Sequence, residues 1–213
     1  MEFNKHYDLE GKHALLSAST WRWLNDDEES LARRLTSQYA TQIGTILHEV
    51  AYKHIKYRIK LAKHDKKTVM LELLSNGIPG FIIDYLDFDA MFDNLMTYVN
   101  DGVGFKMTPE VVLKFSNNFF GTTDAIDYNE TKRFLRIHDY KSGTTKAHME
   151  QLLIYAALFS LEYRLKPNQF DTELRIYQSN EVICHNPAPD EIAQVANTII
   201  TLENHIIKLD KGV

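Results

Sequence analysis

Two alternating segments joined by a polar turn constrain this chain most: FFGTTDAIDY, then NETK, then RFLRIHDYKSG. Strand-like runs flanking a short polar turn specify an antiparallel β-hairpin. In its second strand Leu135, Ile137, Asp139 and Lys141 fall at every second position and share a face. The apolar face therefore ends in an acid and an amine, as either a solvated strand tip or a site. With the turn centred between Thr131 and Lys132, Ile126 faces Ile137 and Asp124 faces Asp139. Like charges opposed across a ladder repel. A divalent cation between them turns that repulsion into binding, and carboxylate pairs suit Mg²⁺ or Mn²⁺. A lysine beside such an ion loses some proton affinity and can orient or deprotonate water, or offset charge on a phosphorane-like transition state.

The rest of the chain supplies elements to surround the hairpin. LSASTWRWLN opens with serines, and Ser17 or Ser19 caps a helix carrying Trp21, Trp23 and Leu24. Residues 37–64 read as one long helix with an apolar stripe of Ile43, Leu47, Val50 and Ala51. The region from Lys53 to Lys67 is basic, through Lys56, Arg58, Lys60, Lys63 and Lys66. Such charge is either a guide for a phosphate backbone or the favourable ending of a helix. NGIPG breaks the chain, and DFDAMFDNLMTYVNDG is a further helix with Gly102 past its end. EVVLKF alternates as a strand, with Glu110, Val112 and Lys114 opposite Val111, Leu113 and Phe115. AHMEQLLIYAALFSLEYRL is a helix, FDTELRIYQ a strand, and APDEIAQVANTIITLENHIIKL a final amphipathic helix before a frayed DKGV tail. Asp127 falls on the strand face opposite Asp124 and reads as structural or solvated.

Composition bounds the setting. The chain has 213 residues, enough for a sizeable core without staples. Its one cysteine, Cys184, precludes an internal disulfide and any four-cysteine iron–sulfur cluster. The expected compartment is reducing, hence cytoplasmic, with no signal peptide and no membrane span. A net charge of −5 argues against a nonspecific DNA coat, although not against a local basic groove.

Five motifs stand in an order that resembles the RecB-type branch of the PD-(D/E)XK nuclease superfamily: GTILHE, PEVVLKF, GTTDAID, HDYKSG and QLLIY. They resemble its GxxxH helix, acidic strand, GxxD strand, DxK strand and QxxxY helix. HALLSASTWRWLN and LRIYQ are similar to segments of phage-encoded members, and the resemblance spans residues 13–205. It implies an α/β (α+β) restriction-endonuclease-like core, a mixed β-sheet flanked by helices. The whole chain, residues 1–213, would form one nuclease domain. A mainly helical part (about 13–105) would carry the histidine motif, and a sheet core (about 106–208) the catalytic hairpin. By motif, His48, Asp124 and Asp139, with the Tyr140 carbonyl, would bind Mg²⁺ or Mn²⁺. Lys141 would be the catalytic lysine, and Glu110 a ligand or an acid just behind the ligands. Gln151 and Tyr155 would hold the phosphate or the nucleic-acid end. Lys53, Lys56, Arg58 and Lys60 would guide the backbone of DNA. Relatives with an iron–sulfur cluster place its first cysteine near WLN, where this chain has Asn25; no such cluster is expected.

The expected activity is metal-dependent hydrolysis of DNA phosphodiester bonds, as an exonuclease in phage or host recombination or repair. If phage-encoded, the protein would work in the host cytoplasm, with a single-strand annealing or recombinase protein as a further partner. The alternative is a catalytically silent nuclease-fold protein that binds DNA or a recombination partner. The Asp124, Asp139 and Lys141 set weighs against silence, because binding alone does not call for that lysine.

Overall fold

The computed structural model describes residues 4–11, 14–143 and 146–210. The frayed tail expected at DKGV falls almost wholly outside them. After short 3-10 turns at Tyr7–Leu9 and Ala18–Asn25 come α1 (Glu28–Tyr57), α2 (Lys66–Ser75), α3 (Gly80–Tyr85) and α4 (Phe88–Gly104). Next come β1 (Thr108–Lys114), β2 (Phe120–Asn129), β3 (Phe134–Lys141), α5 (Glu150–Glu162), β4 (Asp171–Gln178), β5 (Glu181–His185) and α6 (Pro189–Asp210).

The five strands form one sheet in the order β1-β2-β3-β4-β5. Only β3 and β4 are parallel, joined through α5. Neighbouring pairs elsewhere are antiparallel, which gives the mixed, helix-flanked sheet expected of a restriction-endonuclease-like core. α1 to α4 cover one face, where Ile43, Leu47, Phe92 and Tyr98 pack with Ala125, Tyr140 and Tyr177. α5 and α6 cover the other, where Leu152, Phe159, Ile192 and Ile199 pack with Leu135, Ile137, Leu174 and Ile176. The strand alternation thus sorts β3 as its sequence implied, with Leu135 and Ile137 together.

The structure corrects several boundaries. α1 begins at Glu28, nine residues before the expected start, because the Asp27 carboxylate caps it by accepting from Ser30 N–H. It stops at Tyr57, where Arg58 turns left-handed at φ 60°. The basic stretch is therefore not one helix: Lys60 and Lys63 lie beyond α1, and Lys66 and Lys67 open α2. Ser17 precedes a 3-10 turn and makes no side-chain cap; its carbonyl instead accepts from the Trp23 indole at 2.8 Å. Gly102 is inside α4, not past its end. It marks the crossing with α1, since a Cβ there would stand 2.8 Å from Ile55 Cδ1. β5 was not foreseen; it returns from β4 through Ser179 and Asn180, both at positive φ (51° and 61°). Consecutive left-handed residues make the tight hairpin turn that suits twisted strands.

Candidate active site

The β2–β3 ladder runs from Asn129↔Phe134 to Ala125↔His138 and there it ends. Beyond that point β2 stays paired with β1 as far as Phe120, while β3 stays paired with β4 as far as Lys141. The hairpin register is the expected one, with Ile126 opposite Ile137. Asp124 and Asp139 occupy the next rung, where the sheet opens like a fork. Asp124 replaces the missing ladder contact with its side chain: Tyr140 N–H donates to its Oδ2 at 2.9 Å.

β1 is distorted at the same level. Glu110 has φ 51° although the pairings on both sides keep one register, so no residue is inserted. A left-handed conformation costs a non-glycine residue about 1–2 kcal/mol. Such strain persists where surrounding structure enforces it and clusters at functional sites. Glu110 lies at the register position facing Asp124, and its charge acts on both Asp124 and His48. The simple alternation that put Glu110 on a face with Val112 and Lys114 does not describe a residue in this conformation.

The remaining groups converge from two helices and from β3 itself. From α1, His48 Nδ1 stands 3.5 Å from Asp124 Oδ2, and its ring meets Tyr140 edge-on. From β3, the Lys141 ammonium donates to Asp139 Oδ1 at 3.1 Å and to Gln151 Oε1 at 3.2 Å. From α5, Gln151 Nε2 donates to the Tyr155 hydroxyl at 3.4 Å, which donates to the Thr122 carbonyl at 2.7 Å. Asp139, Lys141, Gln151, Tyr155 and Thr122 thus form a continuous chain tying β3 through α5 to β2. Two glycines allow the approach. A Cβ on Gly121 would lie 2.9 Å from Tyr155 Cε1, and one on Gly44 would lie 3.2 Å from Ser142 Oγ.

Electrostatics sharpen the picture. Burial pushes the Asp124 carboxyl up to about 6, against the opposing pull of the Tyr140 N–H and Lys141. Burial, then the Asp124 charge, pushes Asp139 up to about 6 as well. Burial pulls the His48 imidazole down, so it is neutral at pH 7 with a nitrogen lone pair available. Asp139 Oδ2 is buried without a hydrogen bond; Lys141 Nζ comes within 3.0 Å of it but is aimed at Oδ1. Two carboxylates and an imidazole stand together here, side-chain types that ligate divalent cations in proteins, while Asp139 Oδ2 is in ion-pair contact with Lys141. Among the described residues no three acidic, histidine or cysteine side chains are placed so that together they could hold a metal ion. The positive charge facing Asp139 here is the Lys141 ammonium.

A family model for the PD-(D/E)XK nuclease superfamily matches residues 12–209. The chain belongs to the PD-(D/E)XK nuclease superfamily. Members are metal-dependent nucleases in general, which accords with the acid pair and lysine at the fork. No curated protein and no solved structure matches the chain.

The basic residues are less concentrated at the site. Lys53 pairs with Glu49 at 2.9 Å and Glu72 at 3.7 Å, and Lys56 donates to the Tyr52 hydroxyl. The Arg58 guanidinium donates to the carbonyls of Met107 and Lys106 and so pins the end of α1 to the start of β1. Asp127 pairs in register with Arg136, whose charge acts on it. Two supporting residues escaped the sequence reading. Gln178, buried at the end of β4, accepts from Ala147 N–H at 3.0 Å and donates to the Gly143 carbonyl at 2.7 Å. It ties Gly143 and Ala147 to the end of β4. Asn94, buried in α4, donates to the Tyr177 carbonyl at 3.1 Å and stands 3.5 Å from the Lys141 carbonyl. No described helix is long and apolar enough to cross a membrane.

Proposed function

We propose that this chain is a RecB-type nuclease of the phage-encoded group without an iron–sulfur cluster. It would hydrolyse DNA phosphodiester bonds as an exonuclease in phage or host recombination or repair. The observation carrying this reading is the fork itself: a buried carboxylate, a half-buried one and a lysine meet where the ladder opens, and one oxygen of Asp139 has no hydrogen bond. Buried like charges are retained at a cost, and a cation-dependent site is the physical reason to retain them.

In this reading Asp124, Asp139, His48 and the Tyr140 carbonyl hold Mg²⁺ or Mn²⁺. Such an ion, when bound, supplies an acidified water and offsets phosphate charge. The chain's own groups do the rest. Lys141 presents its ammonium to the attacked phosphate, aimed by Asp139 and Gln151. Gln151 and Tyr155 hold the nucleic-acid end and brace Lys141 against β2. Glu110 is held in its strained conformation so that its carboxylate supports the ligand set from across β1. Lys53, Lys56, Arg58 and Lys60 add positive charge along the flank, with Arg58 acting chiefly through the end of α1.

End-labelled linear and circular DNA, incubated with Mg²⁺, Mn²⁺ or a chelator, tests the reading. The expected result is metal-dependent loss of linear DNA, absent in Lys141→Ala. Nicking of circles would replace the exonuclease assignment with an endonuclease. A folded protein that cleaves nothing under any condition would overturn the catalytic assignment.

A further inference from the structure

The far end of the β1–β2 hairpin carries a feature the catalytic groups do not use. Past the Glu110–Asp124 level the pairs are Val111↔Thr123, Val112↔Thr122, Leu113↔Gly121 and Lys114↔Phe120. Leu113 is fully buried in the core beneath α5, and Gly121 lies against Tyr155 of α5. Alternation therefore puts Val112, Lys114, Phe120 and Thr122 together on the opposite face. All four are exposed, Val112 at 54% and Phe120 at 62%. Asp124 lies two residues beyond Thr122 on β2, at the fork, with its Oδ2 3.5 Å from His48 Nδ1. The result is an open strip of sheet running from the candidate site to an exposed aromatic ring and a lysine.

We propose that this strip is a stacking platform for an unpaired DNA strand, with Phe120 stacking on a base and Lys114 near the phosphates. The inference deepens the nuclease reading and rests on it for the choice of polymer. An exposed ring on a flat sheet offers a π-face that any base can meet, whereas a paired base in a duplex has its faces occupied. The four residue steps from Phe120 to Asp124 span about 13 Å of strand, so the stacked base would lie within a few nucleotides of the cleaved phosphate. The lysine beside the ring supplies the charge complement in a chain whose net charge is −5. The platform favours an unpaired end over an intact duplex as the occupant of the cleft.

The test measures binding without metal, in chelator, so that cleavage plays no part. Fluorescence anisotropy would follow a labelled single-stranded oligonucleotide and a blunt duplex of equal length. Wild type should bind the single strand more tightly. Phe120→Ala should weaken single-strand binding by about 5- to 150-fold and leave duplex binding unchanged. Phe120→Trp should restore it, and Val112→Ser should weaken it in the same direction. Both positions are exposed, so melting temperatures close to wild type are expected and would be checked. Unchanged single-strand binding in a folded Phe120→Ala protein overturns the proposal, as does equal weakening for duplex. A change in self-association with unaltered DNA binding would assign the patch to a protein contact and also overturn it. A protein that shows the Phe120 effect but never cleaves would defeat the nuclease reading alone.

Discussion

Asp139 concentrates the tension in this molecule: its carboxyl is buried beside Asp124, and one oxygen has no hydrogen bond. Both carboxyls titrate above the unfolded value near 4, as buried acids do. The native state therefore holds these protons more tightly than the unfolded chain. Their contribution to metal-free stability is present below about pH 4 and is lost as pH rises through about 6. Asp139→Asn should thus raise the melting temperature in chelator at pH 8 by a few degrees, reflecting about 1–3 kcal/mol, while lowering cleavage by about 10²–10⁴-fold. Unchanged or lower stability in that scan would contradict the burial argument. Added Mg²⁺ should stabilise wild type increasingly, with the logarithm of its concentration above Kd, and leave the variant unmoved. Metal-dependent cleavage should fall as pH drops below about 6, because protonated carboxyls cease to be ligands. A pH–rate profile flat down to pH 5 would speak against these ligands.

At the level of elements, close approaches decide geometry. The crossing of α1 and α4 depends on Gly102, where Ile55 fills the space a methyl group would take. Gly102→Ala should destabilise the fold by about 1–3 kcal/mol, read by urea denaturation, and Ile55→Val in the same chain should recover part of the loss. The meeting of β2 with α5 depends on Gly121 in the same way. Gly121→Ala should displace Tyr155 and loosen the Gln151–Lys141 contact, so cleavage should fall more than stability does. An activity matching wild type would show that the Tyr155 position is not needed. The hairpin register was legible in advance because the polar turn and Ile126–Ile137 fix it. The fork was not legible, because the ladder ends through the separate pairing of β2 with β1 and β3 with β4.

For the molecule as a whole, an acidic protein must meet an acidic polymer. Local positive charge and a bound cation are the available means, so DNA affinity should decline steeply as salt rises. A plot of log affinity against log salt with no slope would remove the electrostatic account. The basic residues counted along one expected helix are divided between two helices and a loop, and several are engaged by partners on the protein. Charge counts along a sequence ignore both the neighbours one helical turn away, Glu49 and Tyr52, and the partners distant in the chain, Glu72, Met107 and Lys106.

The sequence by itself determined the hairpin, its register, the order of the main helices and strands, and the acid–amine ending of β3. Those follow from periodicity and turn chemistry, which act between near neighbours. Only the tertiary structure decided that Asp124 would cap Tyr140, that Glu110 would be held left-handed opposite it, and that Gln178 would bond Gly143 and Ala147. Each of these depends on contacts between segments far apart in the chain, where burial and unsatisfied backbone groups, not local propensity, set the conformation.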